Sequence, residues 1–130
     1  MNAFLRNNRW SILWGIVILI LTLMPGAAIP RIPMWFDNLY PDKLVHLFIF
    51  TVFTFLLISG FRKQESPEVF RNFAMLWAIA ISLFVGGTTE LLQGWLIPMR
   101  TADWKDFYAD GFGTLMVVIA LRSHAFLSEE

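Results

Sequence analysis

Four apolar runs divide this chain, and they constrain its fold more than any other feature. They cover residues 10–24, 44–61, 72–97 and 104–121. A helix of about 20 predominantly apolar residues is long enough to cross the hydrocarbon core of a bilayer. Hydrophobic residues make up 57% of the chain, above the roughly 45–50% that is usual for a soluble domain. The sequence therefore predicts an all-α protein of one domain, residues 1–130, built as an integral membrane bundle of four transmembrane helices.

The first apolar run and the segment after it predict a membrane anchor followed by a loop. Residues 27–43 contain three prolines together with Trp35, Phe36 and Tyr40. Proline removes a backbone donor and fixes φ, whereas aromatic side chains are typical of the membrane–water interface. We therefore expect an interfacial loop here. The run at 10–24 also has features of a secretory signal peptide, but a membrane anchor is favoured because the later runs also need a bilayer.

Positive charge predicts how the bundle is oriented. Cytoplasmic loops of membrane proteins carry an excess of Lys and Arg. One predicted side carries Arg6, Arg9, Arg62, Lys63, Arg71 and Arg122, and the other carries Arg31, Lys43, Arg100 and Lys105. The richer side is expected to face the cytoplasm. This gives a multi-pass membrane protein with both termini in the cytoplasm.

Charge and cysteine content exclude several classes of protein. The formal net charge is zero, and no basic run with interleaved aromatic residues indicates a nucleic-acid partner. The chain contains no cysteine, so disulfides and thiolate metal sites are excluded. Nothing in the sequence predicts an oligomeric state.

Polar side chains are concentrated where the third run ends and the fourth begins. Glu90 and Gln93 lie three residues apart, and Asp106 and Asp110 lie four apart, spacings that place each pair on one helix face. At about 1.5 Å rise per residue, Glu90 and Asp110 are expected at similar depth below the outer surface. Carboxylates cost roughly 2.5–3.5 kcal/mol near the centre of a membrane helix, so they indicate a functional site.

Further polar residues extend this predicted outer pocket. Lys43 and His46 lie at the start of the second run, and Arg100 follows the third. The planar guanidinium of Arg100 suits a carboxylate or a phosphate. Asp103 is interpreted as the N-cap of the fourth helix. The predicted ligand-binding residues are Lys43, His46, Glu90, Gln93, Arg100, Asp106 and Asp110.

Three chemical uses of the pocket are open. Glu90, Asp106, Asp110 and His46 could hold a divalent cation such as magnesium, calcium or manganese, but no ligand spacing is diagnostic, so no metal or cofactor is predicted. Paired carboxylates could act as general acid and base. No nucleophile signature accompanies them, and no catalytic residue is assigned. Recognition of a headgroup or a sugar-peptide by hydrogen bonds requires no reactive residue.

The order and spacing of these residues resemble those of VanZ-like membrane proteins. The resemblance is carried by Asp42-Lys43, His46, Glu90, Gln93, Arg100, Asp106 and Gly113. It implies that Lys43, His46, Glu90, Gln93, Arg100 and Asp106 are the characteristic polar positions. That family usually has Asn where this chain has Asp110, and a further Gly where it has Val117. Its founding member is associated with low-level resistance to the glycopeptide teicoplanin. Antibiotic resistance and a location in the bacterial cytoplasmic (inner) membrane are therefore implied by the resemblance alone.

Together, the one-sided polarity and the resemblance predict a protein that binds or occludes an amphiphilic cell-envelope ligand. That ligand would be a membrane lipid, a lipid-linked precursor or a lipoglycopeptide such as teicoplanin. One alternative is a membrane enzyme that uses Glu90 or Asp106 as acid and base on an envelope lipid. Another is a structural partner of a second membrane protein, for which the spacing of Ala109 and Gly113 marks a packing face.

Overall fold

The computed structural model describes residues 2–24, 41–65, 67–97 and 101–127, and within them it contains helices and no strand. The prediction of an all-α fold is confirmed. The helices are α1 (Ala3–Thr22), α2 (Pro41–Arg62), α3 (Glu68–Asn72), α4 (Ala74–Leu96) and α5 (Trp104–Leu127). Most of the predicted interfacial loop lies outside the described residues.

Helix ends differ from the ends of the apolar runs. α1 begins at Ala3, because the side chain of Asn2 accepts a hydrogen bond from the backbone N–H of Phe4 at 3.2 Å and caps the helix before its apolar part. α3 precedes the predicted third helix (72–97) and overlaps it only at Asn72. Phe73, with a φ of −115° and a ψ of 31°, separates α3 from α4. The apolar run therefore predicted the apolar part of α1, and the cap at Asn2 sets where that helix starts.

Two of these helices are long and apolar enough to cross a membrane. They are residues Asp42–Arg62 of α2, with a mean hydropathy of 2.3, and all of α4, with a mean hydropathy of 1.6. α1 and α5 fall below the same criterion, since each carries charged residues in its N-terminal part.

α2 is the central helix of the bundle and packs against each of the other four, most extensively against α5. His46 and Thr54 of α2 are hydrogen-bonded to Asp110 and Thr114 of α5 in the same order along the chain. α2 and α5 are therefore parallel. α1 and α4 run in the opposite direction, so the start of α1 and the end of α5 lie at the same end of the bundle.

The packing of α2 against α5 depends on Gly113. A Cβ atom at this position would lie 2.5 Å from the carbonyl oxygen of Leu47 and 2.9 Å from Thr51 Oγ1. Only glycine permits this approach without a shift of the backbone. The predicted packing face of α5, marked by Ala109 and Gly113, therefore contacts α2 of the same chain at Gly113.

The interior contains many polar side chains, and many large hydrophobic side chains are exposed. Among the described residues, thirteen polar or charged side chains are buried and only ten hydrophobic ones. Midway along the bundle, the buried Thr54 hydroxyl is 2.9 Å from Ser82 Oγ and 3.1 Å from Thr114 Oγ1. In contrast, Phe84 and Phe112 are 74% and 62% exposed. Hydrogen bonds between side chains therefore join α2, α4 and α5 through the core.

Candidate functional site

Charged side chains from three helices meet at one end of the bundle. α2 and α5 begin at this end, and the C-terminal half of α4 lies beside them. The group, called the polar cluster from here on, consists of Lys43, His46, Glu90, Asp103, Asp106 and Asp110. Five of the seven predicted site residues belong to it.

Lys43 occupies the more exposed side of the polar cluster. Its Nζ atom is 2.7 Å from Asp106 Oδ1 and 3.2 Å from both Asp103 Oδ2 and Asp42 Oδ2. An ammonium group has three donors, so these three carboxylates satisfy it. The side chains of Asp42 and Asp103 are 55% and 44% exposed, whereas that of Asp106 is 9% exposed. Lys43 therefore links solvent-facing carboxylates to a buried one.

His46 lies deeper, between two carboxylates on successive turns of α5. Its Nδ1 atom is 2.9 Å from Asp110 Oδ1, and its Nε2 atom is 3.9 Å from Asp106 Oδ2. All three residues are buried. The first contact is a hydrogen bond, and the second is too long for one. The pair of carboxylates fixes the orientation of the imidazole ring.

Glu90 and Asp110 form the floor of the cluster, and each has one buried oxygen without a partner. Glu90 Oε2 accepts a hydrogen bond from the backbone N–H of Asp103 at 3.0 Å. Glu90 Oε1 and Asp110 Oδ2 have no hydrogen-bond partner within the described part of the chain. Each residue is only 1% exposed. Unpaired buried polar atoms are rare in folded proteins, and each needs an explanation.

Asp103 caps α5, as the sequence predicts. Its Oδ1 atom accepts a hydrogen bond from the backbone N–H of Lys105 at 2.9 Å. This bond, followed by the one from the Lys43 ammonium, holds the pKa of Asp103 below its ordinary value. Asp42 could have capped α2 in the same way, but it lies inside the first turn of that helix.

One predicted site residue that the structure describes, Gln93, is not part of the polar cluster. Gln93 is buried, and its Nε2 atom donates to the carbonyl oxygen of Thr22 at 2.6 Å. This contact joins α4 to α1, which the sequence did not suggest. Arg100 lies outside the described residues. Within the described residues, Glu90 accepts a hydrogen bond from the backbone N–H of Asp103.

The buried hydroxyl groups below the cluster were missed by the sequence reasoning, although a signal was present. Thr114 lies four residues after Asp110, and Ser82 lies eight before Glu90. Residues four apart share one helix face, so each hydroxyl continues the stripe that carries a carboxylate. Polar side chains within an apolar run tend to face other helices, and this spacing would have identified Thr54 as well, eight residues after His46.

An apolar groove of about 450 Å³ runs beside the polar cluster, between α4 and α5. Leu83 lies on its α4 side, and Phe107 and Gly111 lie on its α5 side. Phe107 and Gly111 directly follow Asp106 and Asp110 in the chain. Consecutive residues of α5 therefore face the cluster and the groove.

The polar cluster combines groups that can bind a cation, exchange protons or accept hydrogen bonds. His46, Glu90 and Asp110 each offer one ligand atom, and these atoms lie within 4.8 Å of one another. On the exposed side, Lys43 presents the positive charge. Comparisons with protein-family models, with curated proteins and with solved structures found no match.

Proposed function

We propose that this chain is a VanZ-like integral membrane protein that binds an amphiphilic cell-envelope ligand at the outer end of a four-helix bundle. The observation that carries the proposal is an apolar groove between α4 and α5, in which Phe107 and Gly111 directly follow Asp106 and Asp110 of the polar cluster. A ligand with a polar head and an apolar chain matches this pairing of surfaces. Ligand pockets combine apolar walls with a few polar groups in this way.

The distribution of polarity supports placing all four long helices in the bilayer. α1 exposes Ile16 and Ile20, and α5 exposes Phe112 and Ile119, each at 49% or more. Apolar surface of this extent favours a lipid environment over water. Polar side chains are instead buried between helices, where hydrogen bonds satisfy most of them. In this proposal α1 and α5 cross the membrane with α2 and α4, and both termini are cytoplasmic.

Aromatic side chains near the polar cluster support its placement at the level of the lipid headgroups. Trp95, Trp104 and Tyr108 are 90%, 61% and 71% exposed at this end of the bundle. Trp and Tyr concentrate at membrane–water interfaces. The ligand would then have its polar part beside Lys43 and its chain in the groove. A lipid-linked precursor or a lipoglycopeptide such as teicoplanin has this build.

Native mass spectrometry of protein released gently from membranes tests the proposal. Lys43→Gln removes the positive charge beside the ligand head, and Gly111→Leu fills the groove. Wild type is expected to retain a defined amphiphile that both variants lose. Arg71→Gln is the matched control, since Arg71 lies in α3 and its 3.6 Å ion pair with Glu68 is away from the cluster.

Two results would contradict the proposal once circular dichroism has shown that each variant is helical. In the first, all four proteins carry the same mixture of bulk lipids. In the second, Arg71→Gln loses the amphiphile as completely as Lys43→Gln does. Either result would favour the structural alternative, in which the polar cluster holds the helices together and the partner is another protein.

The position of His46 supports an acid–base enzyme as a second candidate. Its ring is held between Asp106 and Asp110, an arrangement that can accept and return a proton. Purified protein would then convert an envelope lipid, and Glu90→Gln would abolish turnover while retaining lipid binding. A lipid that is bound but never converted would contradict the enzyme candidate and would be consistent with the binding proposal.

A further inference from the structure

We propose that His46, Glu90 and Asp110 form a site for one divalent transition-metal ion of the Mn²⁺ or Zn²⁺ type. The three residues come from α2, α4 and α5, and all three are buried. One ligand atom of each lies within 4.8 Å of the others. A metal ion bound here would join three helices at the floor of the polar cluster.

The unpaired oxygens are independent evidence for a ligand at this place. Glu90 Oε1 and Asp110 Oδ2 are buried and have no hydrogen-bond partner in the described structure. A Cβ atom on Gly86 would lie 2.9 Å from Asp110 Oδ2, so this oxygen faces the stripe of α4 that carries Glu90 one turn later. Two unsatisfied carboxylate oxygens on facing helices are what a cation between them requires.

Charge balance supports the same conclusion. Lys43 is the cation of the described cluster, and its three contacts go to Asp42, Asp103 and Asp106. In the described structure Glu90 has no ion pair, and the ion-pair partner of Asp110 is the imidazole of His46. Burying an ionised carboxylate without a partner is costly, and such groups are normally paired or bound to a metal. A divalent cation would neutralise Glu90 and Asp110 together.

The contact between His46 and Asp110 has the length expected for two neighbouring ligands. Their Nδ1 and Oδ1 atoms are 2.9 Å apart. Ligands about 2.1 Å from a metal and at right angles to each other lie about 3.0 Å apart. In the proposed site the metal replaces the shared proton but lies to one side of the line that joins these two atoms, and Glu90 supplies the third ligand.

Asp106 and Lys43 are placed to support the metal ligands. Asp106 Oδ2 is 3.9 Å from His46 Nε2, on the far side of the ring from Asp110. A histidine bound to metal through one nitrogen usually presents its other N–H to a carboxylate, which fixes the ring. Asp106 is itself held by Lys43 at 2.7 Å. These two are positioning residues and do not bind the metal.

The composition of the site selects the type of metal. Imidazole suits zinc and other transition metals, whereas carboxylates suit magnesium, calcium and manganese. One nitrogen and two carboxylates therefore favour Mn²⁺ or Zn²⁺ over the alkaline-earth ions. Three protein ligands leave at least one position for water or for an anionic group.

The test is titration of the full-length protein, purified in detergent and stripped with a chelator, with Mn²⁺ alone and with Zn²⁺ alone. Electron paramagnetic resonance measures the concentration of free Mn²⁺, and calorimetry measures the heat of Zn²⁺ binding. We expect one equivalent to bind wild type. Glu90→Gln removes a ligand charge but retains an acceptor for the Asp103 N–H, and it should weaken binding by tenfold or more. Asp110→Asn should do the same.

Asp42→Asn is the matched control, because Asp42 is an exposed carboxylate at the same end of the bundle. Its affinity should stay within twofold of wild type. Three results would overturn the site: no binding to wild type at millimolar metal, unchanged affinity in folded Glu90→Gln, or an equal loss in Asp42→Asn. No lipid ligand enters these titrations, so their failure would leave the amphiphile proposal intact, and loss of the amphiphile would leave the metal site intact.

Discussion

The carboxylates around Lys43 differ in what surrounds them, and this difference divides their roles. Asp42 and Asp103 are about half exposed and share one ammonium group. Exposed ion pairs of this kind contribute roughly 0–1 kcal/mol to stability. Glu90 and Asp110 are buried with an oxygen left over. The exposed pair therefore sets the charge at the mouth of the cluster, and the buried pair supplies the ligands of the metal site that we propose.

Asp103 allows the cap and the ion pair to be measured separately. Asp103→Ala removes both and should lower the free energy of unfolding by about 1 kcal/mol, the usual cost of losing an N-cap. Asp103→Asn keeps a capping oxygen and loses only the charge opposite Lys43, so it should cost less. Thermal unfolding in detergent at neutral pH measures both variants.

The pH dependence of these variants follows from the lowered pKa of Asp103. Folding favours its ionised form, so the stabilisation is fully present above the ordinary pKa of 3.8 and is lost as the pH falls through the lowered value. Wild type and Asp103→Asn should therefore approach equal stability in acid. A difference that persists or grows at low pH would show that the charge is not the cause.

Single residues show where sequence reasoning reached its limit. The cap at Asp103 was predictable, because Asp is one of the residue types preferred directly before a helix. The partner of Glu90 was not, since it is a backbone N–H and every residue type except proline offers one. Gln93 shares a helix face with Glu90 in the sequence, but its partner on α1 depends on how the helices pack.

At the scale of the helices, two glycines of α5 provide a test of packing. Gly113→Ala would place a Cβ atom 2.5 Å from the carbonyl oxygen of Leu47. Because a backbone atom cannot yield cheaply, the two helices must separate, at a cost of about 1–3 kcal/mol. Unfolding monitored by circular dichroism in detergent measures the loss.

Gly111→Ala, two residues earlier, is the control for helix propensity. A Cβ atom there meets Leu83 Cδ2 at 3.6 Å, which is ordinary contact. This variant should be as stable as wild type or more stable by up to about 1 kcal/mol, since Ala favours a helix over Gly. Equal stabilities for the two variants would contradict the close approach of α2 and α5.

The sequence predicts which segments are helical better than where each helix starts and stops. Apolar content located α2, α4 and α5, because a long apolar segment must satisfy its own backbone hydrogen bonds. The polar first half of α1 and the short α3 carry no such signal. The four-residue spacing of the polar stripes also predicts which faces meet, although the parallel pairing of α2 with α5 follows only from tertiary packing.

For the molecule as a whole, the absence of native cysteine makes topology directly measurable. The four crossings that we propose would place Asn2, Glu65 and Ser123 on one side of the membrane and Thr101 on the other. Each of these residues is changed singly to Cys. The variants are treated in the membrane with an impermeant maleimide, before and after permeabilisation. Thr101→Cys should react in intact cells, and the other three only after the inner membrane is opened.

Each possible failure has a distinct pattern. Labelling of Asn2→Cys in intact cells would mean that α1 does not cross, and labelling of Ser123→Cys would mean the same for α5. Labelling of all four positions without permeabilisation would contradict any membrane crossing. Glu65→Cys lies in the turn between α2 and α3, so it reports on α2 and α4 alone.

Two hydrogen bonds of the polar cluster close chain loops of very different length. The bond between Glu90 and the Asp103 backbone joins residues 13 apart, so it can form as soon as α4 and α5 meet. The bond between His46 and Asp110 joins residues 64 apart, and closing a longer loop costs more entropy. A ligand that contacts α2, α4 and α5 together therefore binds only after α2 has packed against the other two helices. By mass action, its binding stabilises that packing.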